Sequence, residues 1–142
     1  MPLMFVHAPA GTFSAEERAK VAAELTDLGL ECEQLPTTPF VKSTTWIYFN
    51  DYPADQVFNG GKQSTTKIVS LLVNVFEGGL DALAKEKLIA GATHILGAHS
   101  GASARVRAYV VIRDVPSINW GVFGEPGSLS ALRNPPADAA PV

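Results

Sequence analysis

Short apolar runs alternate with longer amphipathic ones along this chain, and their order predicts a strand–helix–strand unit that occurs twice. LMFVHA, Leu3 to Ala8, is a brief apolar run closed by Pro9 and Gly11, the form of a strand. FSAEERAKVAAELTDLGL follows, with Ser14 as N-cap and Glu17 three residues on, the spacing that satisfies two otherwise unpaired amide donors. Val21, Leu25 and Leu28 recur at helical spacing and set one apolar stripe. After the breakers in LPTTPF, STTWIYFNDY is rich in β-branched and aromatic residues and predicts a second strand. KIVSLLVNVFEGG predicts a longer, more apolar third strand, stopped at Gly78 and Gly79. LDALAKEKLIAGATHILGAHSG predicts a second helix with Leu80, Leu83, Ala84, Leu88, Ala92 and Ile95 on one face. SARVRAYVVIRDV alternates and predicts a fourth strand. Beyond Ser128 the composition predicts a flexible tail, residues 129–142.

The order is therefore β-α-β-β-α-β, in one domain over residues 2–128 with halves near 2–62 and 63–128. Each half closes in an Asp-x-Pro turn: Asp51-Tyr52-Pro53, then Val57-Phe58-Asn59-Gly60; and Asp114-Val115-Pro116, then Val122-Phe123-Gly124. A strand–helix–strand unit crosses over right-handed and pairs its strands in parallel. Two such units side by side predict an α+β fold, a four-stranded mixed sheet with both helices on one face. The other face is then bare. Alternation fails over Ile68 to Val75, which predicts burial on both faces and a homo-oligomer covering the open one. A ferredoxin-like binding module has the same element order, so fold alone does not choose a function.

Composition narrows the classes. The chain has 142 residues, 46% hydrophobic and 18% charged, enough apolar material for a packed interior. Its net charge of −3 and lack of a basic run exclude backbone-driven nucleic-acid binding. Cys32 is alone, so neither an internal disulfide nor a cysteine metal cage is available. No apolar run reaches the roughly 18–20 residues of a membrane helix, and no signal peptide is read, so the expectation is a cytoplasmic protein.

The candidate chemistry begins at Pro2. Once Met1 is removed, Pro2 offers a free secondary amine at the head of a strand. An α-amine titrates at about 7.7–8.0, and burial or a nearby cation lowers that value. Both effects favour a neutral amine at neutral pH, hence a general base. Elsewhere the plainer readings hold. His7 is read as a hydrogen-bonded structural histidine, and His94 and His99 as complements to a helix end rather than metal ligands. Arg105, Arg107 and Arg113 share a strand face with Tyr109 and Val111. Gly60-Gly61-Lys62 is read as a turn, Glu77 as a helix-entry charge and Trp120 as a packing anchor.

Pro2 with its short strand, the helix ending Leu25-Thr26-Asp27, the stretch PADQVFNGGKQ (Pro53 to Gln63), the turn Glu77-Gly78 and the Asp114-Val115-Pro116 turn resemble the tautomerase superfamily. The resemblance is to its branch of fused-unit proteins, the cis-3-chloroacrylic acid dehalogenases. It implies catalysis by Pro2, a homotrimer and no cofactor. The chain departs from that branch where its chemistry lies. The family's helix-borne histidine position falls on Gly29, the two arginines near Phe76 and on Gly79, the tyrosine on Val111 and the glutamate near Val122. Without those groups to grip a carboxylate and activate water, dehalogenation, hydration and decarboxylation are not supported. What the resemblance leaves is Pro2 in an apolar pocket formed by Leu3, Phe76 and Val111. Arg107, Tyr109, Lys42 or the backbone amide near Thr44 would stabilise an enolate oxygen. The expected function is keto–enol tautomerisation of small carbonyl or 2-oxo acid substrates such as phenylpyruvate enol. The alternative is a non-catalytic small-molecule-binding or oligomeric scaffold.

Overall fold

A computed structural model describes residues 2–102 and 107–142. β1 (Leu3–Pro9) leads into α1 (Ala15–Cys32), a short α2 (Pro39–Ser43) and β2 (Trp46–Tyr52). A hairpin of β3 (Phe58–Asn59) and β4 (Lys62–Gln63) links this half to β5 (Ile68–Phe76), α3 (Ala82–His99) and β6 (Arg107–Val115). A second small hairpin, β7 (Gly121–Val122) and β8 (Glu125–Pro126), precedes α4 (Leu129–Arg133). The expected start of the fourth strand at Ser103, with Arg105, lies outside the described residues.

The sheet order is β2-β1-β5-β6, with parallel outer pairs and an antiparallel central pair, so the α+β architecture is the expected mixed sheet. Local chemistry sets the helices. Ser14 accepts from the Glu17 amide at 3.1 Å and Asp81 from the Ala84 amide at 2.8 Å, each satisfying a first-turn donor. Val21 and Leu25 of α1 and Leu88, Ala92 and Leu96 of α3 bury against Met4, Val6, Leu71 and Val73. Leu83 departs from its expected place on the inner face and is 75% exposed. None of the described helices is long and apolar enough to cross a membrane.

The two halves repeat after their closing strands as well. Pro53 and Pro116 each open a 3-10 turn, and each turn feeds a tight hairpin. Gly60 and Gly61, at φ of 60° and 78°, supply the left-handed pair that the two-residue hairpin demands, so this segment is a turn as read.

Two further expectations change. β5 does alternate: Val69, Leu71, Val73 and Val75 are buried under the helices, while Ile68, Ser70, Leu72 and Asn74 are only half-buried on the open face. The sequence hid this because the open-face positions are themselves largely apolar. The segment after Ser128, expected to be flexible, forms α4 with Leu132 buried against Phe76 and Trp120, because Leu129 and Leu132 meet an apolar cluster.

Candidate active site

β1 carries Pro2 to one end of the sheet. Leu3 lies opposite Trp46 on one side and Asn74 on the other, so the sheet end that holds Pro2 also holds the ends of β5 and β6. Pro2 is buried, and its carbonyl accepts from the Trp46 amide at 3.3 Å. Its ring lies against α1 at Gly29, where an added Cβ would sit 2.9 Å from Pro2 Cγ. Position 29 therefore has to be small for the proline to reach its place.

Beside Leu3 opens a cavity of about 610 Å³. Phe76 and Trp120 form one wall, their rings 4.8 Å apart, and Thr44, Trp46 and Leu132 line others. The Thr44 hydroxyl donates to the Val41 carbonyl at 2.7 Å, so what it offers the cavity is an acceptor. None of the lining side chains is ionisable. An apolar ligand of drug-fragment size gains by burial here, and no cationic side chain lines the wall to pair with a carboxylate.

The structure brings Leu3, Thr44 and Phe76 together around this cavity but leaves Arg107 and Tyr109 elsewhere. Arg107 pairs with Ile68 and Tyr109 with Ser70, toward the far end of β5. Pro2 lies level with the other end of β5, which pairs with Asp114 and Val115, so Arg107 sits roughly 20 Å along the sheet by strand rise. The cause is the antiparallel central pair, which turns the second unit end for end. Arg107 donates to Thr66 Oγ1 at 2.9 Å, and Tyr109 is 80% exposed on the open face. Val111, expected beside Pro2, is on that face too and is largely exposed. Lys42 is held by Asp27 at 2.6 Å.

One polar group at this end was missed from sequence. Glu33, the C-cap residue of α1, is 1% exposed. It lies one helical turn beyond Gly29, and a Cβ built on Gly79 would meet its Oε1 at 3.2 Å. Burial holds the Glu33 carboxyl above its ordinary value, an effect that the positive charge of the amino terminus and Arg133 reduce but do not cancel. Arg133 Nη2 also donates to the Glu33 carbonyl at 3.1 Å. The ionisable neighbour at this end of the sheet is thus a buried carboxyl group, where Arg107 was the side chain expected from sequence. A signal was present: a carboxylate at a helix C-terminus opposes the helix dipole and calls for a cation.

The histidines take structural places. His7 Nδ1 lies 2.7 Å from the Tyr52 hydroxyl, and His94 is exposed. His99 bridges Glu17 and Glu24. Among the described residues no three His, Cys, Asp or Glu side chains gather as a metal site.

Residues 71–128 match the model of the tautomerase enzyme family. Among solved structures, a fused 4-OT seen as an asymmetric trimer superposes with a TM-score of 0.75 at 21% identity, over 87% of this chain and 94% of that one. A member of the cis-3-chloroacrylic acid dehalogenase family gives 0.74 at 23% identity, over 88% and 85% of the two chains. A protein inactivated by 2-oxo-3-pentynoate gives 0.73 at 20% identity, over 86% and 92%. At these identities the likeness is one of fold. No curated protein matches the sequence.

Proposed function

We propose that this chain, a tautomerase-superfamily protein by its fold and by the sequence of residues 71–128, catalyses keto–enol proton transfer with the Pro2 amine once Met1 is removed. The observation that carries this reading is the placement of Pro2, buried at the head of β1 directly before Leu3, which lines an apolar, aromatic-walled cavity. The cavity suits the apolar body of a small 2-oxo compound such as phenylpyruvate enol. Pro2 takes the proton next to the carbonyl as general base toward the enol, and its protonated form gives a proton back to that carbon toward the ketone. The Thr44 oxygen can accept from an enol hydroxyl, and no cofactor is needed. Dehalogenation stays outside this proposal, since Gly29, Gly79 and Val111 stand where the resembling branch carries its polar groups. The working assembly is a homotrimer that covers the open sheet face, as in the fused 4-OT trimers of the same fold, and the setting is the cytoplasm.

Pro2→Ala is the decisive variant. A positioned general base contributes about 10²–10⁴-fold, so ketonisation of phenylpyruvate enol is expected to fall by at least about a hundredfold with the fold retained. Full activity in Pro2→Ala would overturn the proposal. The absence of ionisable side chains from the cavity wall favours one second reading, a binding scaffold that kept the fold without the chemistry. A reagent that alkylates the terminal amine separates the two. The enzyme loses activity in step with mass added at Pro2, whereas the scaffold has none to lose.

A further inference from the structure

We propose that Glu33 is the counter-ion of the Pro2 amine and keeps it protonated near neutral pH, a positioning residue for the proton transfer. The inference rests on Pro2 being the reacting amine.

The placements that carry it come from three elements. On α1, Gly29 admits the Pro2 ring, and Glu33 follows four residues later, on the same helical face. The Glu33 amide donates to the Gly29 carbonyl at 3.0 Å, which locks the two positions into one turn. On the turn between β5 and α3, Gly79 has no side chain, and the space it leaves is where Glu33 Oε1 comes within 3.2 Å of its built Cβ. At the head of β1, Pro2 is itself buried.

A carboxylate sealed from water keeps its charge only beside a cation. Two positive groups face Glu33: the chain's amino terminus and, from α4, Arg133, whose guanidinium binds the Glu33 carbonyl at 3.1 Å. Its neighbours on α1 offer no competing pair. Glu31 turns out to Lys87 of α3 at 2.5 Å, and burial pushes the Cys32 thiol up, so that it stays uncharged. Loss of Met1 leaves the positive terminus on Pro2, whose ring lies against Gly29, one helical turn before Glu33 on α1.

Attraction between two charges acts on both partners. The amine that lowers the proton affinity of the carboxyl has its own raised by the same coupling. The resting enzyme then carries a Pro2 ammonium and a Glu33 carboxylate, poised for the ketonising direction. The ammonium gives its proton to the enol carbon: one N–H bond breaks, one C–H bond forms, and the enol oxygen becomes the carbonyl as its hydroxyl proton leaves. That proton returns through solvent to the amine, and Glu33 stays charged throughout. Removal of an α-proton by Pro2 becomes faster as rising pH frees the amine.

The test follows the Pro2 nitrogen by NMR, without substrate, in full-length protein prepared to begin at Pro2 and carrying isotope-labelled proline. Wild type is expected to lose its amine proton at higher pH than a free Pro-Leu-Met peptide measured alongside. Glu33→Gln is expected to lower the proton affinity of Pro2 by at least about tenfold, one pKa unit. A wild-type titration at or below that of the peptide overturns the pair, and this comparison needs no variant, so a misfolded Glu33→Gln leaves the test standing. An identical titration in folded Glu33→Gln overturns it as well. In the pH–rate profile, the limb assigned to Pro2 is expected at lower pH in Glu33→Gln. A shifted titration in proteins that lack tautomerase activity upholds the pair and overturns the proposed reaction instead.

Discussion

At Gly29 one hydrogen in place of a side chain decides whether the proposed reacting amine reaches its place. A Cβ there would meet Pro2 Cγ at 2.9 Å and Met4 Cε at 3.1 Å. The methionine methyl ends a flexible side chain and gives way alone, whereas the pyrrolidine ring shifts only together with the head of β1. Alanine gains about 1 kcal/mol of helix propensity over glycine, which offsets part of the crowding. Gly29→Ala is therefore expected to keep its stability within about 1 kcal/mol while kcat/KM for ketonisation falls at least about tenfold, checked by paired denaturant melts and enol assays. An unchanged rate would show that the position of the ring is unimportant. The place of Pro2 at the head of a strand was legible because the apolar run that follows it ends in breakers. Thr44 and Phe76 were legible too, and both line the cavity. Arg107 and Tyr109 were misplaced because residues along one strand do not reveal which end meets β1; the antiparallel pairing of β1 with β5 decides that. Glu33 was missed since its partners lie on three other segments.

Among the helices, α1 and α3 are joined by a charge contact that the sequence half disclosed. Ser14 and Glu17 were read as a capping box, and the Ser14 side chain does accept from the Glu17 amide. The Glu17 carboxylate goes instead to His99 Nδ1 at 2.5 Å, while His99 Nε2 meets Glu24 at 2.8 Å. With both ring nitrogens facing carboxylates, the imidazolium is the form that fits. The hydrogen bond to Glu24, with that to Glu17, raises His99 above its ordinary value of 6.5 against some burial. The bond to His99 lowers Glu17 below 4.5. The signs then follow from linkage. The raised His99 contributes stability that is complete below its unfolded value and is lost as pH rises through the folded one. The lowered Glu17 contributes above its unfolded value and loses its part as pH falls through the folded one. Wild type is thus expected to exceed His99→Gln in stability most clearly between about pH 4.5 and 6.5, with the gap closing toward alkaline pH. Urea midpoints for both proteins across that range check it, and a gap that widens with pH contradicts it. No helical period could announce α2 or α4, each five residues long, because they form where Thr38 and Ser128 cap a turn over an apolar cluster.

For the whole molecule, the open sheet face governs behaviour. Both helices cover one side, and Trp46, Tyr48, Tyr109 and Val111 stand exposed on the other, around the half-buried Leu72. Element order and sheet class were readable from sequence since turn signals separate the hydrophobic runs and their lengths distinguish strands from helices. The burial of β5 on both sides was not a property of one chain: its open-face half needs a cover that only a second copy supplies in the proposed trimer. A contiguous apolar surface of this kind is uncommon on monomers and carries an association cost when wet. Val111 is the position to charge, because it sits mid-strand beside Leu72 yet is absent from the helix-side core. Val111→Glu is expected to sediment as a monomer with its circular dichroism retained, where wild type sediments as a trimer. Association also stabilises by mass action, so the melting temperature of wild type is expected to rise with protein concentration and that of Val111→Glu to stay constant. A wild-type protein that sediments as a monomer with a concentration-independent melt would mean that the open face is covered by something other than its own kind.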